Sequence, residues 1–101
     1  MMNSEASISL DNNCLLVSGE IDFRTAVNLW SASLPLLAQC KMLSFDFSSV
    51  TKTNSAALAL LLEWIKYAGS QQKQIVFQHL PAQLMSVAKV AGIEDSLSSY
   101  L

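Results

Sequence analysis

Charge is scarce in this chain. Of its 101 residues 14% are Asp, Glu, Lys or Arg and 51% are hydrophobic, the reverse of a disordered chain, where low hydrophobicity meets high charge. So little charge also leaves a small protein short of polar surface, and some apolar surface is expected to belong to a partner. The six basic residues are dispersed as Arg24, Lys41, Lys52, Lys66, Lys73 and Lys89. No basic stripe is present for nucleic acid or anionic lipid. Histidine occurs once, as His79, and cysteine twice, as Cys14 and Cys40 in apolar surroundings; without metal-ligand spacing, these read as reduced core thiols and no metal site is expected. Three glycines, Gly19, Gly69 and Gly92, make no phosphate-cradling loop, so no cofactor is expected. The longest apolar run, Ala56 to Leu62, falls far short of the ~20 residues needed to span a bilayer. The residues from Met1 to Ala6 have neither the cationic nor the apolar region of a secretory signal,. The expectation is a cytoplasmic protein with no direct membrane insertion.

The patterning predicts one domain with its core between about residues 7 and 97. Ser7 to Leu10 and Cys14 to Val17 read as strands joined by an Asp11-Asn12-Asn13 turn,. A helix is expected from about Arg24, capped near Asp22 or Phe23, with Val27, Trp30, Leu34 and Leu37 facing inward,. Pro35 should kink or end it. Met42 to Phe47 is a strand by alternation, a helix runs from Ser55 to about Ser70, and Gln74 to Gln78 is a further strand. The last helix has Pro81 at its first position and Leu84, Val87, Ala88 and Ala91 inward, and stops at Gly92,. The order ββαβαβα implies an α/β fold: a mixed, mostly parallel four-stranded sheet with three to four helices, which are few enough to cover one face alone.

Ser55 is the residue with functional promise. It follows the cap candidate Asn54 at the start of a very apolar helix, beside unpaired backbone amides and the positive end of the helix dipole. In that helix Leu58, Leu61, Leu62 and Ile65 fit a sheet-packed face, and Ala56, Leu60, Trp64 and Tyr67 form a second apolar stripe on roughly the opposite side,. Either another helix of the domain covers this second stripe, or it is a docking surface anchored by Trp64, since aromatic anchors dominate interface energetics. In the second case the partner-binding residues are Thr51, Lys52, Thr53, Asn54, Ser55, Ala56, Leu60, Trp64 and Tyr67. Catalysis is not expected, because Ser55 has no credible partner and Glu20, Asp22 and Asp46 make no spaced acid–base pair,. His79 reads as a satisfied edge residue.

Three segments together carry a family resemblance: Val17-Ser18-Gly19-Glu20-Ile21-Asp22, Phe45-Asp46-Phe47-Ser48-Ser49-Val50 and Asn54-Ser55-Ala56-Ala57-Leu58. From about Leu15 to Leu97 the chain resembles the STAS domain of anti-sigma-factor antagonists and sulfate transporters. Leu29-Trp30, Leu58 to Trp64, Leu80-Pro81-Ala82-Gln83-Leu84 and Ala91-Gly92 are similar to one branch, the small cytoplasmic subunit of Gram-negative phospholipid ABC transporters. What the resemblance implies is a non-catalytic subunit that binds the transporter's ATPase, and through it the permease, in a system that keeps outer-membrane lipid asymmetry. Ser55 matches the family's key hydroxyl, which is phosphorylated in the antagonists and lies at the ATPase contact in the transporter branch. The alternative it implies is an anti-sigma-factor antagonist whose partner is a kinase and whose switch is phosphorylation of Ser55. Asn54 and Ala57 stand where the family usually has Asp and Gly. Asn54 still caps the helix, so both changes weaken the phosphorylation switch more than the docking.

Overall fold

The computed structural model describes residues 6–101. In chain order the elements are β1 (Ser7–Asp11), β2 (Cys14–Ile21), α1 (Phe23–Ala38), β3 (Met42–Thr53), α2 (Ser55–Ser70), β4 (Gln74–Gln78), α3 (Ala82–Val90) and α4 (Glu94–Ser98). They build a four-stranded sheet in the order β1-β2-β3-β4. β1 and β2 form an antiparallel hairpin, and β2–β3 and β3–β4 are parallel. The hairpin turn places Asn12 and Asn13 at φ 52° and 66°, the left-handed pair that a tight two-residue turn requires and asparagine tolerates. Leu15, Val17, Leu43, Phe45, Phe47 and Phe77 are at most 2% exposed, while the alternating Leu16, Ser44, Asp46 and Val76 keep some exposure. The core therefore lies on one face of the sheet, beneath the helices.

β3 runs six residues past its expected end. Leu16 and Ser18 of β2 pair with Asp46 and Ser49, and Gly19 and Glu20 with Val50 and Lys52, so β3 carries an extra residue at each of two bulges. Asp46 Oδ1 accepts the Ser48 amide at 2.8 Å beside the first bulge, and a side-chain acceptor of this kind suits a strand bent out of its ladder. The same oxygen lies 3.1 Å from His79 Nδ1, which braces β3 against the β4–α3 connection and satisfies the histidine.

The helices correct several expectations. In α1 the buried positions are Thr25, Leu29, Ser33 and Leu37. Val27 is 66% exposed and Leu34 38%, and Trp30 is half-buried. Two hydroxyl residues occupy the inner stripe because each is satisfied there: Thr25 completes a capping box with Asp22, and Ser33 Oγ accepts the indole N–H of Trp64 at 3.0 Å. Pro35 does not end α1, which continues to Ala38. Pro35 and Ser31 both lie on the exposed face of α1, where water can take up the Ser31 carbonyl that loses its donor.

In α2 Leu58 and Leu61 are buried, but so are Ala56, Leu60 and Trp64, and Leu62 is 46% exposed. This helix packs against both α1 and α3, so most of each apolar stripe is covered by the domain itself. Pro81 is the N-cap of α3 rather than its first residue. The short α4 follows, and after it the Tyr100 carbonyl accepts the Phe77 amide at 2.7 Å, which caps the β4 edge of the sheet.

Candidate functional site

The C-terminal ends of β2 and β3 set the site. Ile21 and Thr53 are partners across the parallel ladder, and each strand then turns into a helix, so Phe23 opens α1 and Ser55 opens α2 at the same distance beyond their paired residues. Two helix N-termini therefore stand side by side at one edge of the domain.

They are capped with different chemistry. Asp22 Oδ1 accepts the Arg24 and Thr25 amides, both at 2.9 Å. Those bonds, the Thr25 amide above all, hold its carboxyl below the ordinary value of 3.8, and the carboxylate offsets the α1 dipole. At α2 the cap is neutral: Asn54 Oδ1 accepts the Ala56 amide at 2.8 Å, and the first turn of α2 contains no acid. Ser55 is exposed there, with Thr51 and Lys52 exposed just before it. The positive end of the α2 dipole thus meets no acid of its own helix beside the Ser55 hydroxyl, and Lys52 stands across the ladder from Glu20. Thr53 points inward at 3% exposure, and its amide and hydroxyl donate to Gln83 Oε1 at 3.3 and 3.4 Å. This pins the approach to Ser55 onto α3 and limits how far the segment can move.

An apolar groove of about 330 Å³ starts at this edge and follows the seam between α1 and α2. Phe23, Val27 and Trp30 line one wall, Ala56, Ala59 and Leu60 the other, and Glu63 is the charged residue in the lining. A smaller hollow of about 210 Å³ shares Trp30 and Glu63 and continues past Lys66 and Tyr67 to Ser70. Phe23 is 69% exposed, so together with Val27 it leaves large apolar side chains in water on the wall of a concave surface.

The expected site is thereby divided. Thr51, Lys52, Asn54 and Ser55 gather at the edge, Ala56 and Leu60 line the α2 side of the groove at 2% and 4% exposure, and Tyr67 lies half-buried at the far end of the second hollow. Trp64 is not part of any surface. It is 0% exposed, with its ring centroid 4.3 Å from that of Phe45, so the expectation that it anchors a docking face gives way to a core role. Thr53 is likewise structural. The exposed apolar wall comes from α1 instead: from Val27 and Trp30, which the sequence pattern placed inside, and from Phe23, which it read as a cap candidate. The signal that could have found them was the competing stripe Thr25-Leu29-Ser33-Leu37, whose hydroxyls made it look polar.

A family model described as "Mlab, STAS domain" matches residues 6–99. Among solved structures, that of the anti-sigma factor antagonist SpoIIAA in its unphosphorylated form is similar with a TM-score of 0.68 and 10% sequence identity, covering 89% of this chain and 83% of that one. At that identity the likeness is one of fold. No curated protein matches the sequence.

Proposed function

Since this chain belongs to the STAS domain family, whose members mediate protein–protein interaction, we propose that it is a non-catalytic cytoplasmic subunit that docks on the ATPase of a phospholipid ABC transporter and stabilises or regulates it. Outer-membrane lipid asymmetry is the process such a transporter would serve, and the ATPase would hold the chain at the inner membrane. One observation carries this reading: an exposed Ser55 at a helix N-terminus with a neutral cap lies at the mouth of an apolar groove. The name in the family description, Mlab, agrees with the transporter branch that the sequence resembles. Docking would remove Phe23 and Val27 from water, and full burial of such side chains contributes about 1.5–3 kcal/mol each.

The test is co-purification of the tagged chain from detergent-solubilised native membranes. Wild type is expected to bring down an ABC ATPase with its permease, and Ser55→Glu to lose both. A carboxylate at the first position of α2 favours the helix dipole, so that loss would not come from unfolding. If wild type recovers no ATPase, or Ser55→Glu retains it, the reading fails.

The second reading, an anti-sigma-factor antagonist switched at Ser55, is favoured by the fold likeness to SpoIIAA and by the exposed position of the hydroxyl at a helix N-terminus with a neutral cap. A phosphoryl group would add about 1.5–2 negative charges, which the positive pole of α2 would stabilise. Recovery of a small ATP-binding kinase in the same experiment, with phosphate on Ser55, would establish it instead.

A further inference from the structure

We propose that the α1–α2 groove receives one amphipathic helix of the partner, antiparallel to α1 and α2, with its C-terminal end at Ser55 and a lysine or arginine at Glu63. This rests on the docking function proposed above and gives the site its polarity. Between Ala56 and Ser70 the two hollows span about 21 Å at the helical rise of about 1.5 Å per residue, the length of a short helix,. The walls are apolar side chains, and an apolar helix face lying between two helices fills such a seam.

Charge sets the direction. The Ser55 end presents the positive pole of α2 with a neutral cap and no acid in its first turn, whereas the pole of α1 is already met by Asp22. Lys52 nearby is opposed across the ladder by Glu20, so that pair adds no net charge there. The negative end of a helix, or a terminal carboxylate, suits that position. About 12 Å further along, eight residues of helix, Glu63 is the charged group in the lining of the first hollow. An occupant therefore needs a cation about eight residues before its C-terminal end. Lys66, which lines the second hollow with Glu63, would oppose a cation placed further back. The reverse orientation sets two positive helix ends together.

The test uses two synthetic 15-residue amphipathic peptides with the same leucine face. One carries lysine eight residues before a free C-terminal carboxylate; the other carries glutamate there and a C-terminal amide. Titrated into the whole protein and followed by amide NMR, the first is expected to bind about fivefold more tightly, the combined size of one part-exposed ion pair and one helix-dipole contact. It should shift the signals of Val27, Ala59 and Glu63. Glu63→Lys, at an exposed position, should abolish or invert the preference. Equal affinities, or shifts confined to other surfaces, would overturn the proposal. Co-purification then separates it from the docking function: Val27→Asp and Glu63→Lys are expected to release the ATPase as Ser55→Glu does. Release by Ser55→Glu alone would leave docking in place and overturn the groove. If no ATPase is recovered at all, the ATPase function fails, and the peptides still decide whether the groove takes a helix of this polarity.

Discussion

Removing the hydroxyl of Ser33 should destabilise the domain far more than the loss of one small polar atom suggests. Ser33 and Trp64 are both 0% exposed, and the serine oxygen is the partner of the indole N–H at 3.0 Å. The serine's own proton goes to the Trp30 carbonyl at 2.7 Å, which leaves an oxygen lone pair for the indole. In Ser33→Ala the tryptophan keeps its packing on Phe45 but buries a donor without an acceptor, at a cost of about 1–3 kcal/mol. Against a net stability of about 5–15 kcal/mol for a domain, that is a large fraction. For a chain of this length it corresponds to a fall in melting temperature of about 4–20 °C.

Urea unfolding at 25 °C followed by far-UV circular dichroism measures the effect, with an unchanged m-value confirming a pure stability change. Trp64→Phe and the double variant complete a cycle. With the indole nitrogen absent, Ser33→Ala should cost at least about 1 kcal/mol less, while the lost Trp30 contact is common to both backgrounds and cancels. A cost below about 0.5 kcal/mol, or no coupling between the sites, would refute the claim that Ser33 is in the inner stripe because of Trp64. Trp64→Ala, by contrast, should cost about 3–5 kcal/mol through the cavity it opens, so it reports on folding and cannot serve as a probe of docking.

Asn54→Ala removes the side-chain acceptor of the Ala56 amide and should cost about 1 kcal/mol in the same urea assay. Gln72 follows α2 at φ 57°, and the Lys73 amide bonds back to Ala68 at 2.9 Å. This is a left-handed helix terminus built without glycine. Gln72→Gly should therefore raise stability by up to about 1 kcal/mol, the relieved strain exceeding the added freedom of the unfolded chain, and a lower urea midpoint would contradict it. Asp22 and Asp46 both have carboxyls held below their ordinary value of 3.8, chiefly by the Thr25 and Ser48 amides respectively. A depressed carboxylate stabilises the fold while ionised, so its contribution is complete above pH 3.8 and is lost as pH falls through the lowered value. Between pH 5 and pH 2 the urea midpoint should drop, and the double variant Asp22→Asn, Asp46→Asn should show a flatter profile.

The parts of the fold that were legible from residues alone are those where periodicity and punctuation agree. Asn54 followed by an unbroken apolar helix defined α2, the alternation of Met42 to Phe47 and the short run Gln74 to Gln78 defined two strands, and Gly92, at φ 78°, ended α3 as expected. The extension of β3 through Ser48 to Thr53 was hidden, because a polar, twice-bulged strand keeps no period of two. α4 was hidden because five residues are too few to show a helical period. The inner face of α1 was misassigned by its buried hydroxyls, since hydropathy cannot register that Thr25 closes a cap or that Ser33 serves a tryptophan two elements away. For the same reason the edge around Lys52 and Ser55 was readable, being local chemistry, and the groove was not. Which of two apolar stripes remains in water depends on which neighbouring helices lie alongside, and that is a property of topology.

The bond that closes the β4 edge joins two main-chain groups, Phe77 N–H and Tyr100 C=O. Any residue can supply that carbonyl, so mutation of Tyr100 is free to alter the side chain without touching the bond. Spacing is another matter. The Tyr100 amide turns back onto the carbonyl of Leu97 at 2.9 Å, and Leu97 is anchored at 2% exposure. Inserting or deleting a single residue between the two would swing the carbonyl off the strand and leave β4 open to pairing with a strange chain. In this stretch natural variation should be lenient toward letters and strict about length.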